Sequence, residues 1–377
     1  MKTLIDLFAG CGGLSTGLEK AGFTPIFFNE LVPTFAETYI LNHNIGREDC
    51  FVGDIHELNQ QLSNFTSKWV SRYESIDLVC GGPPCQGFSN ANRQRIINDP
   101  RNTLYKEYLK FLSVVRPQFF IMENVRGMAK RYSEIQEDFR YFLGADYSFD
   151  YRLFNAMDFG VPQDRVRFIK IGTRTNVPVP QIFDVIESAK RSPNVLRDAI
   201  WGLPKLEPRT IKNKPYVEEP QSGLNEVKFE YERTPFYHFI NGDRIIDTLY
   251  NHRNRYNNPR DIEIFGTLPQ GGNSLHPSIA GLMPYTSRNH IFKDKYFKLR
   301  EDTVCKTITS HMRYDCNMYI HPWESRGLSP REAARIQSFP DDYVFSGPFS
   351  SWYAQIGNAV PVQFAKVLGD AILKFML

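Results

Sequence analysis

The 377-residue sequence has no Cys-x-x-Cys pair, and its six cysteines, at 11, 50, 80, 85, 305 and 316, show no paired spacing. That argues against a disulfide framework. Cys305 and Cys316 lie near His311 and His321, but at intervals that match no usual zinc finger. Reduced thiols in an intracellular protein without a metal are the simple reading. Long hydrophobic runs are also lacking, since none approaches the ~20 residues that span a bilayer. The start, Met1-Lys2-Thr3-Leu4-Ile5-Asp6, puts an acid where a secretory leader needs apolar residues, so it reads as a first strand. Charge of one sign is scarce as well: the formal net charge is +3. Such a balance neither requires nor forbids a nucleic-acid partner, because clustered charge suffices to bind one. With 42% apolar and 23% charged residues the chain fits an ordinary soluble protein, and its length makes two domains the default.

What is present begins with an alternating pattern. Thr3–Phe8 is a short apolar strand, Ala9-Gly10-Cys11-Gly12-Gly13 a small-residue turn, and Leu14–Ala21 a helix closed by Gly22. A strand at Pro25–Phe28 ends in Asn29-Glu30, a helix covers 33–42, and Phe51-Val52-Gly53-Asp54-Ile55 follows. Strand, glycine loop, helix, strand and acid form the grammar of a nucleotide-type cofactor site. The glycines do not follow G-x-G-x-x-G, which weakens a pyrophosphate-bearing dinucleotide and with it an oxidoreductase. Acids instead sit within the first strand (Asp6) and at the ends of the second and third (Glu30, Asp54). Glu30 is placed to accept from ribose hydroxyls and Asp54 from an adenine amino group, a layout suited to a cationic adenosine cofactor without phosphates. Cys11 reads as small core filler.

The most informative segment is Gly81-Gly82-Pro83-Pro84-Cys85-Gln86-Gly87-Phe88-Ser89, at the end of the strand 75–80. Glycines allow close backbone approach, prolines stiffen the loop, and Cys85 falls beyond the carboxyl end of a strand, where open α/β sheets place their chemistry. A helix near 103–115 leads to a second such strand, Gln118–Met122, which ends in Glu123-Asn124-Val125. An acid there is able to manage a proton on a ring nitrogen while a nearby thiolate attacks. After a helix at 133–143 and a stretch at 148–154, Arg165 and Arg167 occur two apart, on one face if they open a strand. Two guanidiniums on one face grip a phosphate or a pyrimidine carbonyl.

Taken together these segments resemble the single-chain bacterial DNA (cytosine-5) methyltransferases. The resemblance rests on 6–13 (DLFAGCGG), Asn29-Glu30, Gly53-Asp54-Ile55, 82–89 (GPPCQGFS), Glu123-Asn124-Val125, 163–167 (QDRVR), 331–340 (REAARIQSFP) and 355–361 (QIGNAVP), all in the family's order. It spans about 1–172 and 328–377, with no comparable signature between beyond Thr307-Ile308-Thr309.

The resemblance implies a Rossmann-like class I S-adenosylmethionine-dependent methyltransferase fold, an α/β fold with a mixed sheet, plus a smaller irregular target-recognition domain. It implies methyl transfer from S-adenosyl-L-methionine to C5 of a cytosine flipped out of double-stranded DNA. Cys85 matches the thiolate that adds to C6, and Glu123 the acid that bonds the ring at N3 and the amino group. Arg165 matches the arginine supporting the cytosine carbonyl, with Arg167 its supporting neighbour. Phe8 packs on adenine, Gly10 and Gly12 admit the cofactor, Glu30 binds ribose, Asp54 and Ile55 frame the adenine, and Asn358 lies near the cofactor and the Cys85 loop. Pro84, Gln86 and Ser89 belong to the substrate loop. The expected layout is a catalytic domain at 1–173, target recognition at 174–327, a connecting helix and hinge at 328–352, and a segment at 353–377 returning to the catalytic domain.

The middle region has clustered prolines and 22 Lys/Arg against 18 Asp/Glu over 174–330. Residues 252–258, 269–274 and 286–290 carry Arg, Asn and Gln able to face DNA, and 306–310 reads as a strand near its end. Leu328–Glu332 is a clear helix start, with Ser329 as cap, Pro330 at the first position and Glu332 closing a capping box. The apolar tail from 353 must pack on something. The implied setting is a cytoplasmic, monomeric enzyme of a restriction–modification system, with a cognate endonuclease encoded nearby but not necessarily bound. An RNA cytosine methyltransferase of the same fold and a silent DNA-binding module are the alternatives.

Overall fold

The first strand is apolar on both faces because helices cover both sides of a parallel sheet. In the computed structural model, which describes residues 1–84, 104–212, 223–283 and 295–376, β1 (Lys2–Leu7) buries every residue but the first. It is followed by α1 (Gly13–Ala21), β2 (Phe23–Glu30), α2 (Pro33–Asn42), β3 (Cys50–Val52), α3 (Ile55–Gln60), α4 (Leu62–Arg72) and β4 (Leu78–Gly81). Then come α5 (Leu104–Val115), β5 (Phe119–Val125), α6 (Tyr132–Leu143), β6 (Ser148–Asn155), β7 (Val166–Thr173) and α7 (Val179–Ser188). The sheet order is β3-β2-β1-β4-β5-β7-β6. β7 runs antiparallel to both its neighbours, which makes the sheet mixed as expected. Strand order reverses between β1 and β4, so the crevice beyond their carboxyl ends is the place for a ligand. Among the described residues no helix is long and apolar enough to cross a membrane.

The chain divides into two compact units. The first comprises Met1–Gly160, Arg165–Ser192 and Ala359–Leu377; the second comprises Val161–Asp164 and Pro193–Asn358. The boundary expected at 173/174 therefore moves to 192/193. The reason is α7, whose Ile182, Phe183 and Ile186 are buried and whose Phe183 lies 6.0 Å from Phe154 of β6.

The second unit holds α8 (Leu196–Ile200), the antiparallel pair β8 (Gly223–Lys228) and β9 (Thr248–Arg253), α9 (Pro235–Asn241), α10 (Pro259–Thr267), α11 (Pro330–Ile336) and α12 (Phe349–Asn358). The region expected to be a separate connecting helix and hinge, 328–352, is thus part of this unit. Residues 306–309 form no strand, and a 3-10 turn covers Ser310–Arg313.

Buried charge organises this unit around α11, all seven residues of which are buried. The capping box forms as the sequence implies: Ser329 Oγ accepts from the Glu332 amide and Glu332 Oε2 from the Ser329 amide. Glu332 also takes two guanidinium N–H bonds from Arg326, at 2.8 and 2.6 Å. Burial alone would raise the Glu332 pKa, but the Arg326 charge outweighs it and holds the carboxyl below its usual range. His321 Nδ1 accepts from the Trp323 and Glu324 amides, so that nitrogen carries no proton. His252 spans Ser329 Oγ at 2.9 Å and the Pro204 carbonyl at 2.8 Å. A carbonyl only accepts, so Nε2 bears the proton and Nδ1 accepts from Ser329. Burial pulls His252 down to about 4.

These contacts overturn one expectation. His252, Asn254 and Asn257 do not face solvent. Asn254 donates to the Glu207 carbonyl and Arg255 to the Met312 carbonyl. Gln270 and Asn273 brace their own loop through Glu301 and Leu275. Residues 284–294, which include the 286–290 stretch, lie outside the described residues.

The apolar tail is two helices rather than one, broken at Ala359-Val360-Pro361. α12 stays in the second unit, and the return to the first begins at 359, not 353. There α13 (Val362–Leu373) packs on α1 through small residues. A Cβ on Gly17 would lie 2.4 Å from the Val362 carbonyl oxygen, and one on Gly369 2.7 Å from Ala21 Cβ. The helices meet at the backbone itself, with Phe364 filling in 5.1 Å from Phe159.

Three outcomes follow. Gly17→Leu is expected to cost at least about 2 kcal/mol, read as a lower urea midpoint with unchanged slope. Glu332→Gln is expected to cost about 3 kcal/mol by leaving the buried Arg326 guanidinium with the Glu324 carboxylate as its one remaining charged partner, and adding Arg326→Met should recover part of that loss in the melting temperature. Between the ordinary histidine value of 6.5 and about 4, the unfolded chain binds a proton that folded His252 refuses. Stability therefore falls as pH falls across that window, and His252→Asn should flatten this stretch of a Tm-against-pH profile.

Candidate active site

The turn leaving β1 needs backbone conformations that most side chains resist. Phe8, Gly10 and Gly12 have φ of 56°, 58° and 88°. A Cβ at Gly10 would meet nothing within 4 Å, so glycine serves the φ angle there rather than a lack of room. Behind the turn, Ser15 donates to Asp6 at 2.6 Å and accepts from the Tyr39 hydroxyl at 2.8 Å. Asp6 is fully enclosed, and burial pushes its carboxyl up to about 7. Asp6 thus pins the first turn of α1 and is not available to a ligand.

Glu30 ends β2 and clamps the same turn. Its Oε2 accepts from the Gly10 amide and its Oε1 from the Val32 amide, each at 2.8 Å. Burial raises its pKa above the usual carboxylate value. Each oxygen keeps a second lone pair for a hydroxyl. Asp54 caps α3, with Oδ1 accepting from the His56 amide and ring, and the His56 amide helps hold its carboxyl below the usual range. Its Oδ2 carries no hydrogen bond among the described residues. Ile55 departs from expectation: its side chain is 3% exposed, within the core beside Leu58 and Ile26. Among the described residues, accessible apolar side chains here include Leu31 (63% exposed) and Val52 (43%). They adjoin, because Glu30 pairs with Val52 across the strands. Sequence reading missed both, although each directly neighbours a strand-end acid or its glycine.

The second half of the crevice lies at β4 and β5. These strands pair in register with Gly81 opposite Met122, which brings Gly82 beside Glu123. A Cβ on Gly82 would stand 3.2 Å from Glu123 Oε2. Asn124 Nδ2 donates to the Pro83 carbonyl at 2.8 Å, tying the stem of the proline loop to β5. Pro84 is exposed. Cys85, Gln86 and Ser89 lie outside the described residues.

Glu123 is paired with Arg167, Nε to Oε1 2.8 Å, and both side chains are 13% exposed. The antiparallel register sets this up, since Val125 faces Arg167 and Glu123 is two residues back on the same face. Arg165, in contrast, precedes β7 and is turned to a structural task. Its guanidinium donates to the Ala359 carbonyl at 2.8 Å, and its amide to Asn155 Oδ1 at 2.9 Å. The structure therefore puts Arg167, not Arg165, on the acid; a shared face did not bring them to a shared partner.

Asn358 is the exposed last residue of α12, in the second unit. Three motifs meet within that unit through buried amides: Gln163 donates to Gln337 at 2.8 Å, and Gln337 to the Ile356 carbonyl at 2.7 Å. The thiols of Cys11 and Cys80 are buried, and burial drives both pKa values up. Among the described residues no group of His, Cys, Asp or Glu is arranged to hold a metal ion.

The donor set suits an adenosine cofactor with a positive charge. Two carboxylates, exposed aliphatic side chains beside them, and a positive-φ turn make up the cradle. The family model for C-5 cytosine-specific DNA methylases matches residues 2–374. The chain is 31% identical to the Type II methyltransferase M1.HphI of Haemophilus parahaemolyticus, over 99% of this chain and 87% of that one. It is 32% identical to the Type II methyltransferase M.FnuDI of Fusobacterium nucleatum, over 98% and 93%. Among solved structures, an E. coli protein described as a prophage-encoded DNA modification methyltransferase superposes with a TM-score of 0.74 at 24% identity, covering 99% of both chains. The chain belongs to the C-5 cytosine-specific DNA methylase family, and it transfers a methyl group from S-adenosylmethionine to C5 of cytosine in DNA.

Proposed function

We propose that this enzyme methylates one cytosine within a defined double-stranded sequence, as the modification partner of a type II restriction system in the bacterial cytoplasm. It acts as a monomer on the DNA, with the second unit reading the sequence and the first performing the chemistry. The names of the relatives at 31% and 32% identity support the type II assignment. The observation that carries the site is the Glu123–Arg167 pair lying against Gly82, three residues before Cys85.

Cytosine C5 is a poor nucleophile. Addition of the Cys85 thiolate to C6 of the flipped base breaks the C5–C6 double bond and moves its electron pair to C5. Glu123, acting as the carboxylic acid, donates its proton to N3 while its other oxygen accepts from the amino group, so the charge arriving in the ring is neutralised, and N3 returns that proton to Glu123 when the thiolate leaves. Arg167 holds Glu123 in place and offers remaining N–H groups to the cytosine carbonyl. Bound S-adenosylmethionine supplies the methyl group that C5 takes up. Loss of the C5 proton then returns electrons to the C5–C6 bond and expels the Cys85 thiolate. Glu30 and Asp54 orient the cofactor through ribose and adenine, with Leu31 and Val52 beside the adenine in place of Ile55. Phe8, Gly10 and Gly12 shape the turn beneath it, and Pro84, Gln86 and Ser89 are assigned to the substrate and Asn358 to the cofactor on the family resemblance alone.

Cys85→Ser should abolish transfer of labelled methyl groups while retaining cofactor binding. Arg167→Lys should lower kcat by about 10²-fold or more, because it loses the fork that grips Glu123. Arg165→Lys should chiefly lower the melting temperature. The reverse ranking of the two arginine variants in kcat would overturn the assignment of Arg167. Bisulfite mapping of DNA from cells expressing the wild type identifies the product and its sequence context.

A further inference from the structure

Two groups of polar residues in the second unit that suggested DNA contact on sequence grounds serve the fold instead, which leaves the reading of bases to side chains elsewhere. The 3-10 turn Ser310–Arg313 and the residue after it present such a set. His311, Arg313 and Tyr314 are all exposed, Tyr314 by 61%. The Arg313 guanidinium lies 4.5 Å from the Tyr314 ring centroid and also donates to the Tyr314 hydroxyl. The His311 ring meets the same tyrosine edge-on at 5.5 Å, and its Nε2 lies 3.6 Å from Asp315 Oδ2.

The turn under these side chains is rigid for reasons visible in the contacts. Met312 is fully buried. Arg255 donates to the Met312 carbonyl at 2.6 Å and to the Arg313 carbonyl at 3.3 Å from beneath. On its other flank the turn touches α12 at backbone distance: a Cβ on Gly357 would lie 2.2 Å from the Ser310 nitrogen. The chain leading in is fixed as well, with the Ile308 amide bonded to Gln163 at 2.7 Å and the Thr307 hydroxyl to the Asp164 carbonyl at 2.6 Å. Gln163 and Asp164 directly precede the Arg165–Arg167 segment in the chain.

A stacked guanidinium has already given up most of its rotamer freedom, so its N–H fork engages a partner at small further entropic cost. An exposed cation–π contact is worth only about 0.5–1 kcal/mol to the fold itself. The carboxylate of Asp315 beside the cluster disfavours a phosphate as the main partner but suits the mixed donors and acceptors of base edges. We propose that Arg313, oriented by its stack on Tyr314, reads a guanine edge in the target sequence, and that the 310–314 turn is a specificity-determining element. This rests on the reading of the second unit as the part that recognises sequence.

The test uses purified full-length enzyme. The wild-type methylation site is mapped first, then kcat/KM is measured on the mapped duplex and on duplexes with one base pair changed. Arg313→Ala and Arg313→Lys should each lose about 10–100-fold of the discrimination at one G·C pair, and Tyr314→Ala should lose part of it. The KM for S-adenosylmethionine and the melting temperature should stay unchanged. Lys228→Ala, an exposed charge on β8, is the control and should keep full discrimination. Equal discrimination by wild type and both Arg313 variants overturns the proposal. So does a uniform loss over all duplexes with a shallower salt dependence, which marks a phosphate contact. A wild type that methylates cytosines without sequence preference would overturn the reading of the second unit, and this inference with it.

Discussion

The chemistry of the first unit depends on one pairing, the parallel alignment of β1 with β4 in which Leu7 lies opposite Gly81. Connections from these strands run to opposite sides of the sheet, so their carboxyl ends open into a crevice that no crossover fills. The glycine turn leaves one strand into that crevice and the glycine–proline stem leaves the other. The pairing needs Gly81, because a Cβ there would stand 2.7 Å from the Leu7 carbonyl oxygen and 3.0 Å from the Tyr108 ring. Tyr108 in turn bonds the Val79 and Ile121 carbonyls. One aromatic side chain thereby brackets the seam and its β5 neighbour, and the position of Glu123 follows.

The second unit is held differently. Among the described residues it has one pair of strands and small apolar clusters, such as Ile264 with Phe265 and Tyr296, so hydrophobic burial alone defines its shape weakly. Paired and hydrogen-bonded charges make up the difference. Arg331 donates to the Tyr250, Pro340 and Tyr343 carbonyls, and Arg335 meets Asp341 at 3.1 Å. Asp341 is itself bound reciprocally by Asn241. Each such group costs several kcal/mol to bury alone, so it tolerates only the arrangement that satisfies it. That constraint gives an irregular chain a specific set of turns, among them the one carrying Arg313.

The legible parts of the molecule were those governed by short-range rules. The Gly22 cap, the capping box at Ser329 and the strand-end position of Glu30 need only neighbours within a few residues, and all stand where spacing put them; Glu123 lies inside β5 instead, because pairing with β7 extends that strand to Val125. Period-two spacing was less reliable at Arg165 and Arg167, because Arg165 sits before the strand begins and finds the Ala359 carbonyl instead. Ile55 looked like a ligand-facing residue but is first in its helix and turns into the core, while Leu31 and Val52 remain accessible. The asparagines after His252 looked like surface because they are polar; they are internal because carbonyls of irregular chain need donors.

The amino-acid order by itself determined the family and the cofactor class, since these rest on residue types at fixed local spacing. Tertiary structure decided which arginine meets Glu123, where the chain passes between units, and which polar side chains of the second unit are left for a partner. Those outcomes turn on strand register, on helix contacts close enough to require glycine, and on satisfying buried charge. Each joins residues tens to hundreds of positions apart, as Arg165 joins Ala359, and local pattern carries no record of such pairs.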